Sequence, residues 1–328
     1  MEPKRKYKAI PITSVEEYVK KINEVCRNNP NDLESIDDVW FRGEPECYDY
    51  VLPSLYRINA DDGSIDFVAY EKMLYDNALQ YYPKLFEQCE TPLDKLVTMQ
   101  HFLLPTRLLD VTKNPLVALY FACEKGEETS RVLFTKRYTQ SNWVVERLAM
   151  LLDQMGGWSD FHGITFSSVV EHLKYAYNKS ISDIDKFTIY KNITKSHLFL
   201  PKYDNDRIKH QQGALIFSAL FSADDKQLDE YNDSLLRAEP KRISESKGGI
   251  SDDDMNKIGF YKKPLCLDEL FADTIFTIDK ERKGEIIREL NNYGVNEATV
   301  YPEPEHQMQY VKRYCISKKE LYKKLNVR

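Results

Sequence analysis

The chain has 328 residues, which is enough for roughly two average domains or one large one. Lysine and arginine total 46 against 52 aspartate and glutamate, and this formal net charge of -6 argues against a strongly basic nucleic-acid-binding protein. The sequence has no run of about 18 apolar residues, so no membrane-spanning helix is predicted. The polar N-terminus does not resemble a secretory signal. The six scattered cysteines form no C-x-x-C pair, which predicts reduced thiols in the cytoplasm and no metal site.

In the first half of the chain, capping residues and prolines indicate where most of the predicted elements begin or end. In chain order, the pattern predicts a helix that begins after Ser14 and ends at 28–31, a strand at 38–42, a helix at 66–91 that bends near Pro83, a helix from Thr91-Pro92 to about His101, an extended segment at 108–112, a helix from Asn114-Pro115 and a strand at 131–135.

The second half is predicted to be mostly helical and polar from 141 to 212 and to end in regular elements. The pattern predicts a buried strand at 213–218, a mobile surface segment at 222–264, a strand at 274–279, a helix at 280–292 ended by Gly294, a strand near 298–301 and a final helix from about 305. Separated strands and helices in this arrangement predict an α+β fold rather than a parallel alternating sheet.

Residues 98–124 concentrate polar side chains in an apolar setting. These are Gln100, His101, Thr106, Arg107, Asp110, Thr112 and Asn114. Burying polar groups costs free energy unless each finds a partner. One interpretation is an internal network, with Asp110 paired with Arg107, Asn114 capping its helix and His101 bonded to a carbonyl. The other is that these groups face a ligand cleft, and the sequence leaves both open.

Arg42 lies at the end of the strand predicted at 38–42, directly before Gly43. The guanidinium suits bidentate capture of a phosphate or carboxylate. Gly43 suits the close approach of another backbone or of a ligand. The alternative for Arg42 is an internal salt bridge to Glu44, Asp110 or another acid.

A basic stretch at 191–210 includes Arg207 and His210 and is interleaved with aromatic residues. It could form a groove for phosphates or single-stranded nucleic acid. A solvated helical face is the simpler interpretation in a chain that is 30% charged.

Three segments together resemble the FRG-domain family, which takes its name from a Phe-Arg-Gly triplet. They are Trp40-Phe41-Arg42-Gly43-Glu44, Leu52-Pro53-Ser54-Leu55-Tyr56-Arg57 and the whole of 98–124. The tail is also similar, in Ile278, the 280–290 helix and Thr299-Val300-Tyr301-Pro302. The resemblance covers most of the chain and is weakest at 140–200 and 222–264. It implies a core at 1–221 with a helical insertion at about 140–205, the segment 222–264, and a C-terminal part at 265–328 that completes the same fold.

The arrangement is also similar to the ADP-ribosyltransferase superfamily, whose NAD site is built from three motifs on a split antiparallel sheet. Phe41-Arg42-Gly43 resembles the first motif. Val111-Thr112 and the helix residues 118–122 resemble the second. The stretch 211–217 has the shape of the third, but Gly213 stands where that superfamily has a glutamate. A glutamate there stabilises the oxocarbenium-like centre as nicotinamide leaves, so its replacement bears directly on activity.

The superfamily resemblance implies a metal-independent enzyme that uses NAD as a substrate. It would cleave the nicotinamide glycosidic bond and pass ADP-ribose to a macromolecule, protein or nucleic acid, or to water. In a bacterium this activity would suit a toxin or a phage-defence effector. Two alternatives stay open: a non-catalytic nucleotide-binding or sensing module, favoured by Gly213, and a nuclease centred on Asp110, His101 and Arg107.

The same resemblance implies roles for individual residues. Arg42 would hold the pyrophosphate, Thr112 and Gln211 would orient the substrate, and Asp110 would supply the anion that Gly213 does not. The expected ligand-binding residues are Gly43, Gln100, His101, Thr106, Arg107, Asn114, Arg207, His210 and Gln212. Arg42, Asp110, Thr112 and Gln211 or Gln212 are expected to line one cleft of roughly 300–1,000 Å³.

Overall fold

A computed structural model describes much of the chain, in ranges separated by gaps. The described residues are 6–28, 39–57, 71–125, 127–135, 141–154, 189, 192–202, 206–220 and 267–325. The predicted surface segment 222–264 lies outside them, as does 155–188 of the predicted helical insertion. None of the helices in the described ranges combines the length and apolar character that crossing a membrane requires.

Seven strands form one mixed sheet, which confirms the α+β class. They are β1 (Lys8–Pro11), β2 (Phe41–Glu44), β3 (Leu108–Thr112), β4 (Ser130–Phe134), β5 (His197–Phe199), β6 (Gly213–Phe217) and β7 (Thr274–Ile278), in the order β1-β7-β4-β2-β3-β6-β5. Among the strand pairs of the described residues, β1–β7 is parallel and the others are antiparallel. Strand β1 was not predicted, because its four mostly exposed residues carry no apolar alternation.

Nine helices accompany the strands in the described ranges. They are α1 (Val15–Asn28), α2 (Glu71–Tyr81), α3 (Pro92–His101), α4 (Pro115–Glu124), α5 (Asn142–Gln154), α6 (Asp206–His210), α7 (Lys280–Asn292), α8 (Glu297–Val300) and α9 (Pro304–Leu325). The two cap-and-proline predictions are confirmed: Thr91 accepts from the Asp94 N–H before α3, and Asn114 accepts from the Leu116 N–H before α4. Gly294 follows α7 with a φ of +77°, as its predicted stop requires.

Two predicted elements differ in the structure. The strand expected near 298–301 is wrong, because these residues form the short helix α8. The Asn296 side chain accepts hydrogen bonds from the Ala298 and Thr299 N–H groups, and this cap outweighs the β-branched residues that suggested a strand. A single helix was expected at 66–91. In the structure, α2 ends at Tyr81 and a separate 3₁₀ turn follows at Pro83–Phe86, because Pro83 has no N–H to donate to the next helical hydrogen bond.

The two faces of the sheet carry different cores. On one face, Phe41 and its sheet neighbours pack against α1, α4 and α7, and Leu108 and Phe217 pack against α3 and α5. On the other face, Leu109, Val111 and Leu133 pack beneath Trp40 and other loop residues. Burial on both faces makes this sheet the centre of the fold.

Gly43 allows helix α4 to lie directly on strand β2. A Cβ atom on Gly43 would overlap the carbonyl oxygen of Ala118 and would lie 2.7 Å from the backbone nitrogen of Ala122. No side chain fits between these two backbones. The sequence suggested that Gly43 allows close approach of either another backbone or a ligand, and in the structure the backbone of α4 is the neighbour.

Candidate functional site

The three motif strands lie side by side at the centre of the sheet, in the order β2, β3, β6. Strands β3 and β6 are paired along their full length, from Leu108↔Phe217 to Thr112↔Gly213. Strands β2 and β3 share only the Phe41↔Thr112 pair and then separate. Segments distant in sequence thus meet around Thr112.

A pocket opens beside β3 and β6, where the C-terminal end of α3 meets α6. Its lining residues are Gln100, His101, Leu103, Asp110, Val111, Arg207, Ile208, Gln211, Gly213, Ala214 and Leu215. Five of these were predicted as site residues. The pocket encloses about 100 Å³, less than the expected volume, so it has room for one ring or sugar rather than a whole dinucleotide.

Asp110 presents an exposed carboxylate to this pocket. Gln100 Nε2 donates to Asp110 Oδ2 at 2.8 Å, and the Gln100 side-chain carbonyl in turn accepts from the Thr106 hydroxyl. Within the described ranges no cationic group lies at ion-pair distance from Asp110, and the suggested pair with Arg107 does not form. Gln100 therefore orients the carboxylate, and Arg57 exerts a longer-range electrostatic influence on it.

Arg42 does not join this pocket. Phe41 is paired with Thr112, so the two share a sheet face, and alternation along β2 turns Arg42 to the other face with its partner Leu133. The Arg42 Nε donates to Glu44 Oε1 at 2.9 Å, and its Nη1 donates to the main-chain carbonyl of Asp110 at 2.8 Å. The expectation of one cleft containing both Arg42 and Thr112 is therefore corrected.

Glu44, which the sequence did not single out as a site residue, is the buried acid beside Arg42. Its second carboxylate oxygen accepts from Arg131 Nε at 2.9 Å. One buried carboxylate thus lies between two guanidinium groups, and Arg42 itself is only 13% exposed at its side chain. The internal salt bridge that the sequence offered as an alternative for Arg42 is present.

Arg107 lies in the interior, away from the pocket, and is 2% exposed. Its Nε donates to Glu71 Oε1 at 2.7 Å, and its Nη1 donates to the carbonyl of Ala219 at 2.8 Å. Burial lowers the pKa of Arg107, but the charge and hydrogen bonds of Glu71 outweigh this effect and raise it overall. The side chain therefore joins α2, β3 and the end of β6 rather than facing a ligand.

Thr112 connects the second and third motifs. Its hydroxyl donates to the main-chain carbonyl of Gln211 at 2.6 Å and accepts from the Asn114 N–H at 3.0 Å. Gln211 Nε2 also donates to the carbonyl of Val300 at 3.1 Å. Thr112 and Asn114 thus hold the backbone around the pocket, whereas Gln211 lines it.

Arg207 lines the pocket and is held by the C-terminal part of the chain. Its Nη1 lies 3.4 Å from Glu303 Oε1, and its guanidinium lies 5.1 Å from the centre of the Tyr301 ring. The Tyr301 hydroxyl donates to Glu124 at 2.8 Å, and burial together with Glu124 raises the Tyr301 pKa. The tail motif at 299–302 was noted in the sequence, but nothing there connected Tyr301 with Arg207.

The predicted residues His210 and Gln212 lie next to the pocket lining. His210 Nδ1 is 3.3 Å from the carbonyl of Thr299, which joins α6 to α8. Gln212 is exposed and has a φ of +47°, which is a left-handed conformation that a residue with a side chain seldom adopts. The other non-glycine residue with a positive φ in the described ranges is Leu103, which lines the pocket.

Strained backbone of this kind tends to cluster where a protein binds or acts. Both left-handed residues lie beside one pocket, where they close the C-terminal ends of α3 and α6. In the described ranges, no group of three histidine, cysteine, aspartate or glutamate side chains is placed to hold a metal ion.

Comparison with known proteins gives one match. No curated protein and no solved structure matches the chain. One family model matches a segment that contains strand β2 with Phe41-Arg42-Gly43, strand β3 with Asp110, and helix α4. Residues 37–131 match the model of the FRG domain, which supports assigning this part of the chain to the FRG family.

Proposed function

We propose that the pocket beside β3 takes the nicotinamide ring of NAD, with the attached ribose at the pocket mouth beside Asp110, and that the protein cleaves the glycosidic bond between them. ADP-ribose would pass to a macromolecule or to water. The observation that carries this proposal is the exposed Asp110 carboxylate, which Gln100 orients and which forms no direct ion pair within the described ranges. A fixed anion in a partly enclosed site is what a developing cation requires.

The reaction places positive charge next to Asp110. The bond between the ribose C1′ and the nicotinamide nitrogen breaks, and its electron pair leaves with neutral nicotinamide. The positive charge is then shared by C1′ and the ribose ring oxygen, where the carboxylate of Asp110 stabilises it. A water or acceptor hydroxyl adds to C1′ and releases its proton to solvent.

Other pocket residues suit the remaining parts of this substrate. Arg207, which lines the pocket and is paired with Glu303, would also contact a phosphate, and the side chain of Gln211 would contact a ribose hydroxyl. The volume of about 100 Å³ suits a single ring or sugar, so the adenosine end would lie outside the pocket. In this proposal Arg42 fixes β3 through the Asp110 carbonyl instead of binding phosphate.

Substitution of Asp110 by asparagine is expected to lower nicotinamide release from NAD by about 10²–10³-fold, because a neutral amide no longer stabilises the cationic centre. The full chain is incubated with NAD, and nicotinamide is measured by chromatography. Asp76→Asn is the matched control, since Asp76 lies on α2 in a helix-surface pair with Lys72. Equal rates in the wild type and in Asp110→Asn would contradict the role of Asp110.

A second variant tests whether the position of the anion can move to β6. The atoms nearest to a Cβ on Gly213 would belong to Ile208, at 3.5 Å or more, so a side chain can start from this position without a clash. Because Gly213 also lines the pocket, Gly213→Glu introduced into Asp110→Asn is expected to recover about tenfold in rate. No recovery in a folded double variant would argue against an electrostatic role for this pocket.

The same assay separates the two other functions considered. NAD binding without nicotinamide release, measured by calorimetry, would indicate a non-catalytic sensing module. Metal-dependent cleavage of nucleic acid without NAD turnover would indicate a nuclease. Either result overturns the proposed reaction.

A further inference from the structure

Leu103 is the most unusual residue at the rim of the pocket. It is 84% exposed and has a φ of +63°. The left-handed region brings the Cβ of an L-residue too close to its own backbone, which is why glycine usually occupies it. An exposed leucine in this conformation is unfavourable on two counts.

The backbone around Leu103 explains the conformation but not the side chain. The Leu104 N–H donates to the carbonyl of Met99 at 3.1 Å, and the Leu103 N–H donates to the carbonyl of Gln100 at 3.2 Å. These bonds close the C-terminal end of α3 in the way that normally places glycine at position 103. The leucine side chain adds nothing to this closure, and its high exposure leaves little packing within the described structure.

Leu103 lines the same pocket as Asp110, and its exposed side chain leaves apolar surface at the pocket rim. We propose that Leu103 is a specificity-determining residue that packs on the nicotinamide ring of the bound substrate. This inference rests on the proposed function. If Asp110 faces C1′ of the nicotinamide ribose, the ring attached to C1′ lies beside it in the same small pocket.

The chemistry of the substrate favours the ring as the contact. Ribose and phosphate groups present hydroxyls and charges, which a leucine side chain cannot bind. The nicotinamide ring presents a flat apolar face, and burying it against Leu103 removes both surfaces from water. Leu103 would therefore distinguish NAD from molecules that lack this ring, such as ADP-ribose.

Leu103→Gly tests the proposal because it separates binding from stability. Glycine relieves the left-handed strain, so the melting temperature is expected to rise by roughly 1–3 °C. Loss of the apolar contact is expected to raise the KM and Kd for NAD about tenfold, with kcat little changed. The Kd for ADP-ribose, measured by calorimetry, is expected to stay the same.

Two further variants serve as controls. Leu103→Met keeps an apolar side chain and is expected to retain wild-type affinity for NAD. Phe102→Ala removes an apolar side chain that is 58% exposed on the same turn but does not line the pocket, and it is expected to leave the KM unchanged.

The possible results are distinguishable. An unchanged KM in Leu103→Gly, with nicotinamide release by the wild type, overturns the inference and leaves the proposed function standing. Equal weakening of NAD and ADP-ribose binding overturns the assignment to the nicotinamide ring. A wild-type protein that binds no NAD overturns the proposed function, and the role of Leu103 falls with it.

Discussion

Replacement of Gly43 with alanine is expected to destabilise the protein by about 3 kcal/mol or more, near the upper end of the overpacking range. The added methyl group would overlap the Ala118 carbonyl oxygen and crowd the Ala122 backbone nitrogen. Both neighbours are main-chain atoms of α4, so no side-chain rotation can relieve the contact. Helix α4 must move away from β2, and the core around Phe41 must open with it.

Denaturant unfolding followed by circular dichroism measures this loss. Gly284→Ala in α7 is the matched control, because a Cβ atom there has no neighbour within 4 Å. Alanine in a helix interior is expected to stabilise the protein by about 0.5–1 kcal/mol relative to glycine. Similar unfolding midpoints for Gly43→Ala and the wild type would contradict the direct helix–strand contact.

Replacement of Arg107 with methionine is expected to cost about 3–5 kcal/mol of folding free energy. The substitution leaves the buried carboxylate of Glu71 without its partner and removes the hydrogen bond to the carbonyl of Ala219. The loss of folding free energy comes mainly from the uncompensated buried charge of Glu71 rather than from the lost attraction between the two side chains.

A double variant separates these two contributions. Arg107→Met combined with Glu71→Leu removes both charges and is expected to recover much of the stability. Lys72→Met is the control, since its pair with Asp76 lies on the helix surface and contributes less than about 1 kcal/mol. Equal destabilisation by Arg107→Met and Lys72→Met, measured in urea, would show that Glu71 is not buried as described.

Elements with strong local signals were predicted well from the sequence. Helices α3 and α4 begin at a capping residue followed by proline, and the bounds of α7 were predicted as 280–292. Element α8 was predicted wrongly because the Asn296 cap competes with the β-branched residues after it. Strand β1 was also hard to predict because β7, its partner among the described strands, lies more than 260 residues later in the sequence.

Part of the pocket lining could be predicted from the sequence, but its geometry could not. The sequence indicated that 98–124 contains polar groups that need partners. It could not indicate that Arg107 would find Glu71 on α2, because that pairing depends on how separate helices pack. Arg42 and Asp110 were expected in one cleft, whereas strand alternation turns them to opposite faces.

The left-handed residues could not be anticipated either. Gly, Asn and Asp are the residues that usually predict a positive φ, and neither Leu103 nor Gln212 belongs to that group. Only the backbone itself reveals them. The conflict between local preference and observed conformation is what draws attention to the pocket.

The sheet order has a consequence for any attempt to isolate the family segment. Residues 37–131 supply β2, β3 and only Ser130 and Arg131 of β4, whereas β6 covers the outer side of β3 and β7 covers the outer side of β4. If the segment were produced alone, both sides of its sheet would expose strand edges, and the unpaired amide and carbonyl groups there would favour aggregation. The same edge is exposed during synthesis, because β4 is made well before β7, the strand that pairs with it.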